Sequence, residues 1–213
     1  MVLLALALAL ALQAPDPSAE GLKALEARDY AAAIGHFTAA VKAEPEDYSA
    51  HFNLGLAYSL SGRDDDAVSE YSKTLALKPG LYQALVNLGT VLVRQKKYPE
   101  ALPHLRAAAE AKPGEARPHL LLGDAQFELG RFPEAAQAYY AALTAAPDSA
   151  AAELGYARAL MGQQQLAEAE PHLRRAILLE PEMRNWLLEL GEAYEEAGRI
   201  EDVKVVQHKE DWP

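Results

Sequence analysis

The chain has 213 residues, 50% hydrophobic and 24% charged, which is enough apolar material for one or two domains with a buried core and excludes a disordered chain. Its formal charge is −11, from 20 Lys and Arg against 31 Asp and Glu, so a nucleic-acid backbone or an anionic membrane surface would be repelled. With no cysteine, disulfides, thiolate nucleophiles and Cys-based metal centres are excluded, while either redox compartment stays open.

Residues 1–14 come first, with an unbroken apolar run from Val2 to Leu12 followed by small and proline-rich positions. That is the length of a secretory h-region and well short of the roughly 20 apolar residues that span a bilayer. The segment therefore predicts export, to a periplasm or out of the cell, and no stable membrane span. No Lys or Arg precedes the run. The alternative is a hydrophobic helix packed on the first structural unit of a cytoplasmic protein.

From Ala14 onward the chain repeats itself. Pro45, Pro79, Pro113, Pro147 and Pro181 fall 34 residues apart with no insertion or deletion. Ala33, Ala67, Ala101, Ala135 and Ala169 keep the interval, as do Gly21, Gly55, Gly89, Gly123 and Gly191, with Ala157 in the remaining place. Such a period marks an architecture of stacked supersecondary units. It divides the chain into a divergent first repeat (15–47), repeats at 48–81, 82–115, 116–149 and 150–183, and a truncated last repeat with a capping helix and tail (184–213).

Each repeat reads as two amphipathic helices. In the first, Pro15 and Pro17 sit where the leading helix should begin, which predicts a short or shifted helix. In the second, AHFNLGLAYSL (50–60) carries one stripe through Phe52, Leu56 and Leu60 and another through Leu54, Ala57 and Tyr58, the pattern of a helix buried on more than one side. A break at Ser61-Gly62-Arg63 precedes DDDAVSEYSKTLAL, whose three leading carboxylates suit the positive end of a helix dipole. Glu100, Glu134 and Glu168 repeat that placement, and the proline column ends each second helix. The small Gly and Ala columns are expected where helices cross, with Phe37, Tyr71, Leu105, Tyr139 and Leu173 filling the core between them.

Odd and even repeats alternate. EALPHLRAA (100–108) returns as EAEPHLRRA (168–176), placing Pro103 and Pro171 about five residues into a helix. The second and fourth repeats share His51 with His119 and Gly62-Arg63 with Gly130-Arg131. In the last repeat, Arg184–Gly198 reads as a capping helix, IEDVKVV as a short helix or extended tail, and Trp212 as a loose anchor.

Nothing in the pattern builds a reaction centre. The matched histidines, His51 with His119 and His104 with His172, lie two repeats apart, too far to share a metal ion. No HExxH, nucleotide-binding Gly-rich loop or GxSxG occurs. The repeats fill the chain and leave no room for a catalytic domain. The reading is of a protein with no catalytic residues, cofactor or metal.

The Leu-Gly pairs Leu54-Gly55, Leu88-Gly89, Leu122-Gly123 and Leu190-Gly191, with Tyr58, Tyr194 and the alanine and proline columns, resemble the tetratricopeptide repeat (TPR) proteins. The resemblance implies an all-α, right-handed α-solenoid of about six stacked antiparallel helix pairs. It also implies a concave groove, lined by the first helix of each repeat, that holds a partner's peptide segment. Carrying the usual inner positions over gives Phe52 and Leu56, then Val86, Thr90 and Arg94. The fourth repeat contributes Arg117, Leu120, Asp124 and Phe127, and the fifth Arg158. This lining is apolar toward the N-terminus and mixed through the arginines, then acidic at Glu192, Glu195 and Glu196. Asn53 and Asn87 match part of the carboxylate-gripping set of some relatives, but the groove holds no lysine. The implied partner is an apolar or amphipathic protein segment with an acidic group reaching Arg94 or Arg117. The implied function is a non-catalytic scaffold; the alternatives are a chaperone-like assembly factor for secreted clients, or a regulatory subunit of an enzyme on another chain.

Overall fold

Residues 16–199, with Asp202 and Val203, are described by a computed structural model of the protein. Among them are eleven α-helices. The first four are α1 (Pro17–Glu26), α2 (Tyr30–Ala43), α3 (Tyr48–Leu60) and α4 (Asp64–Leu77). Then come α5 (Tyr82–Arg94), α6 (Tyr98–Ala111), α7 (Ala116–Glu128) and α8 (Phe132–Ala145), and finally α9 (Ala150–Gly162), α10 (Leu166–Leu179) and α11 (Trp186–Glu196). The chain divides into two units, one ending at Val91 and the other beginning at Leu92. In the N-terminal unit α1 packs on α2, α2 on α3 and α3 on α4. In the C-terminal unit the same succession runs from α6 through α11.

The helix boundaries follow from local chemistry. At the starts of α1, α2 and α3, Asp16, Asp29 and Asp47 accept the backbone N–H of Ser18, Ala32 and Ser49 at 3.0, 3.0 and 2.8 Å. Pro17 takes the first position of α1, which has 10 residues against 13 in α3, the shortening that the two prolines predict. Each second helix ends on an extended residue before its proline. Glu44, Lys78, Lys112, Ala146 and Glu180 have φ of −132°, −133°, −140°, −141° and −136°.

The turn inside each pair is closed in the same way throughout. A backbone N–H reaches five residues back: Asp29 to Ala24 at 2.8 Å, Arg63 to Tyr58 at 2.9 Å, Lys97 to Leu92 at 2.8 Å, and likewise at Arg131, Gln165 and Arg199. This is the Schellman closure, and it needs a left-handed residue just before the donor. Even repeats supply glycine there (Gly62, Gly130, Gly198), whereas odd repeats force Arg28, Lys96 and Gln164 to φ of 58°, 59° and 62°. Each of the latter costs about 1–2 kcal/mol. The alternation visible in the sequence therefore has a backbone counterpart.

The large column is the core: Phe37, Tyr71, Leu105 and Leu173 are fully buried and Tyr139 is 1% exposed. The glycine column makes room for it. A Cβ on Gly55 would stand 2.9 Å from the Tyr71 ring, and one on Gly123 2.8 Å from the Tyr139 ring. The fifth repeat adds a contact outside that column, because a Cβ on Gly155 would stand 2.4 Å from Tyr139 Cε1. The Tyr139 ring is thus held between the backbones of α7 and α9.

Pro103 and Pro171 do not interrupt their helices: α6 and α10 run 14 residues, as α2 does without an internal proline. Both prolines are exposed. In the last repeat the expected helix from Arg184 to Gly198 is trimmed. A 3₁₀ turn occupies Pro181–Asn185, and α11 ends at Glu196. Val203 is 5% exposed and joins Leu173, Leu190 and Tyr194 in one cluster, while the rest of the expected segment IEDVKVV, apart from Asp202, lies outside the described residues. Segment 1–14 and Trp212 lie outside the described residues. No described helix is long and apolar enough to cross a membrane.

Candidate functional site

The first helices of the third to fifth repeats direct their inner positions into a cavity of about 380 Å³ in the C-terminal unit. Asp124 and Phe127 from α7 and Arg158 from α9 face it, joined by Tyr98, Glu128 and Lys96. Three of the residues expected in the groove are thus brought together at one place.

Arg158 is the unusual member. Its guanidinium carbon lies 4.3 Å from the centroid of the Phe127 ring and 4.6 Å from that of Trp186. Each such contact is worth about 0.5–2 kcal/mol depending on desolvation, and two of them fix the plane of the group. Among the described residues no carboxylate forms an ion pair with Arg158. Its N–H edge is therefore held in place with no carboxylate in ion-pair contact, although it attracts Asp124 at longer range. A planar fork of this kind matches a carboxylate, which it can bind through two parallel bonds.

Asp124, a carboxyl of the same cavity, is turned to another task. It accepts the Tyr139 hydroxyl at 2.7 Å. Burial holds its carboxyl above the usual carboxylate range, against the pull of the Tyr139 hydrogen bond and of Arg158, with Glu128 adding to the rise. Burial and the neighbouring Asp124 push the Tyr139 hydroxyl up in turn. At the rim, the Tyr98 hydroxyl donates to Glu128 Oε2 at 3.5 Å.

A carboxyl whose folded-state pKa is raised binds its proton more tightly in the folded chain. Its stabilisation is complete below the unfolded value and is lost as pH rises through the folded one. Asp124→Asn keeps an oxygen for the Tyr139 hydroxyl and removes that loss. Urea titrations above about pH 4 should show the wild type falling behind the Asn variant as pH rises; parallel profiles would refute the assignment.

The other expected groove residues are distributed differently. Leu120 is half-buried and packs beside Ala135, Ala136 and Tyr139. Arg94 and Arg117, expected to receive a partner's acidic group, are exposed, and each already interacts with other residues of the chain. In the N-terminal unit Phe52 packs on Tyr71, with ring centroids 5.9 Å apart, and lines a smaller cavity of about 280 Å³ with Tyr48, Asn53 and Leu81. Leu56 is half-buried. Val86 is only 5% exposed, which leaves almost none of it for a partner, and the Thr90 hydroxyl donates to the Val86 carbonyl at 2.7 Å.

Two features were not assigned from sequence. Trp186, read as part of the capping helix, stacks on Arg158; the signal was its place at the head of the next first helix. The histidines also have a task that matched pairs two repeats apart could not disclose. His51 Nδ1 lies 2.6 Å from Glu70 Oε2, and its Nε2 2.9 Å from the Pro45 carbonyl. In the fifth repeat the same two positions are exchanged, with His172 Nδ1 2.6 Å from Glu153 Oε2. The signal is a His and a Glu 19 residues apart in either order.

Models of the tetratricopeptide repeat match residues 18–82, 86–150 and 128–182. The chain belongs to the tetratricopeptide repeat family. Among solved structures, MamA of MSR-1 is 27% identical with a TM-score of 0.71, covering 78% of this chain and 95% of that one. MamA of AMB-1 is 28% identical with a TM-score of 0.72, covering 78% of this chain and 98% of that one. MamA from Desulfovibrio magneticus RS-1, at 24% identity and a TM-score of 0.72 over 76% of this chain and 92% of that one, is alike in fold. No curated protein matches the chain. The fold class is that of these TPR structures, an α-solenoid of stacked antiparallel helix pairs. TPR proteins are in general interaction scaffolds without catalytic activity of their own.

Proposed function

We propose that this TPR protein is a non-catalytic scaffold that holds a segment of a partner protein against the first helices of its C-terminal unit. The segment is amphipathic: its apolar side chains lie on Phe127, and an acidic group reaches Arg158. The observation that carries this reading is the Arg158 guanidinium, held between two aromatic rings and in ion-pair contact with no carboxylate among the described residues. Arg158 takes the place that the sequence suggested for Arg94 or Arg117, because those two already have partners within the chain. The apolar segment 1–14 is what supports the exported reading, with a periplasmic or secreted partner.

The test is affinity purification with mass spectrometry on the full chain and on Arg158→Ala and Arg158→Lys. Both variants should lose the partner at unchanged helicity, because an ammonium keeps the charge but not the planar fork. Retention of the partner by Arg158→Ala would overturn the reading, and retention by Arg158→Lys would show that charge alone suffices. One tight partner, against many transient clients, separates a scaffold from an assembly factor.

A further inference from the structure

A second cavity of about 380 Å³ opens between α8 and α9 and shares no residue with the Arg158 site. Its walls are Tyr140, Tyr156, Gln137, Gln163 and Gln165, with Pro133 at the rim. Ala136 and Leu160 form an apolar floor. No charged side chain lines it, in a chain whose formal charge is −11.

The two tyrosines are arranged unequally. Tyr156 is fixed from behind, since the His172 ring meets it edge-on at 4.7 Å and is itself tied to Glu153. Tyr140 is 61% exposed, large for an aromatic side chain with an apolar ring, and stands 5.9 Å from Tyr156 at an angle of 49°. The tilted rings form a contacting aromatic pair whose Tyr140 side is open to solvent. Beside the pair, Gln163 donates to the Ala159 carbonyl at 3.0 Å and to the Phe132 carbonyl at 3.5 Å and so is committed to backbone acceptors. The exposed amides of Gln137 and Gln165, with the hydroxyls of Tyr140 and Tyr156, are the donors left to face a ligand.

These walls choose among ligand chemistries. An ionic group finds no counterion, so charged segments are disfavoured. A helix presenting an apolar face has its backbone carbonyls bonded internally, so it offers the exposed glutamine amides no backbone acceptor. A polyproline II segment has the converse property: it has no internal hydrogen bonds, its carbonyls project outward, and its pyrrolidine rings dock on aromatic-lined grooves. Its conformation is also largely formed before binding, so little ordering entropy is lost. We propose that this cleft binds a proline-rich segment in the polyproline II conformation, with a proline ring packed on the solvent-facing side of the Tyr140–Tyr156 pair and its carbonyls toward Gln137 and Gln165.

The test is fluorescence anisotropy of a fluorescein-labelled decaproline peptide titrated with the full chain, alongside a Gly-Ser peptide of equal length. Saturable binding of decaproline alone is expected, weakened on the order of tenfold by Tyr140→Ala, weakened by Gln137→Ala, and unchanged by Arg158→Ala. Tyr140 is exposed, so its variant should keep the wild-type circular dichroism, which guards against misfolding as the cause. Absence of saturable decaproline binding, equal binding of the Gly-Ser peptide, or indifference to Tyr140→Ala would each overturn the proposal.

Discussion

Replacing His51 with alanine is expected to lower the unfolding free energy by about 3–5 kcal/mol, as measured by urea denaturation followed by circular dichroism. The ring is 5% exposed and Glu70 7%. The Pro45 carbonyl can only accept, so Nε2 of His51 carries a proton, and Nδ1 shares a short charge-assisted bond with Glu70. Lys73 donates to the other Glu70 oxygen at 2.7 Å. Alanine would strand a buried carboxylate with one exposed lysine, and would leave the carbonyl of the inter-repeat turn without its donor. His172→Ala should cost less, about 1–2 kcal/mol, because the His172 side chain is 32% exposed against 6% for His51.

The fifth repeat supplies a sharper form of the same experiment. There the pair exists with its partners exchanged, so the hairpin accepts either order. The double variant His51→Glu with Glu70→His should recover most of what either single change loses. Recovery should be incomplete, since the bonds to Pro45 and Lys73 have no counterpart after the exchange. A double variant as unstable as the sum of the singles would mean that the two side chains are not coupled.

Gly155→Ala is expected to destabilise the chain by about 2 kcal/mol, although alanine is the better helix former by roughly 0.5–1 kcal/mol. The added methyl would meet Tyr139 Cε1 at 2.4 Å, and the ring cannot retreat because Gly123 bounds it on the other side. Its hydroxyl is also tied to Asp124. The cause can be isolated: in a Tyr139→Leu background, where no ring occupies the gap, Gly155→Ala should become neutral or stabilising. Persistence of the loss in that background would place its origin elsewhere. Tyr139 connects this packing to the proposed site, because a displaced ring would move Asp124 and with it the charge balance around Arg158.

Much of this was legible because one pattern occurs several times over. The proline column marked the helix ends correctly, since a proline constrains the residue before it wherever it stands. The glycine and alanine columns marked the crossings, as Gly55 against Tyr71 and Gly123 against Tyr139 bear out. Gly155 escaped because it lies outside the column, at a place where other repeats carry Asn53 and Asn87. The left-handed turns at Arg28, Lys96 and Gln164 escaped because repetition of the backbone, and not residue type, imposes them.

The site was less legible than the fold. Position within a repeat selects the helix face, which was enough to name Asp124, Phe127 and Arg158. It does not say which arginine is already occupied. That depends on contacts between side chains far apart in sequence, such as Trp186 on Arg158 or Tyr139 on Asp124.

The central claim is that Arg158 receives an acidic group of an otherwise apolar segment. Selection of randomised displayed peptides on the immobilised full chain, in parallel with Arg158→Ala, tests it most directly. The wild type should enrich peptides with Asp or Glu next to aliphatic or aromatic residues, and Arg158→Ala should lose the acidic preference while keeping the apolar one. The same acidic motif enriched on both proteins, or no acidic preference on the wild type, would contradict it.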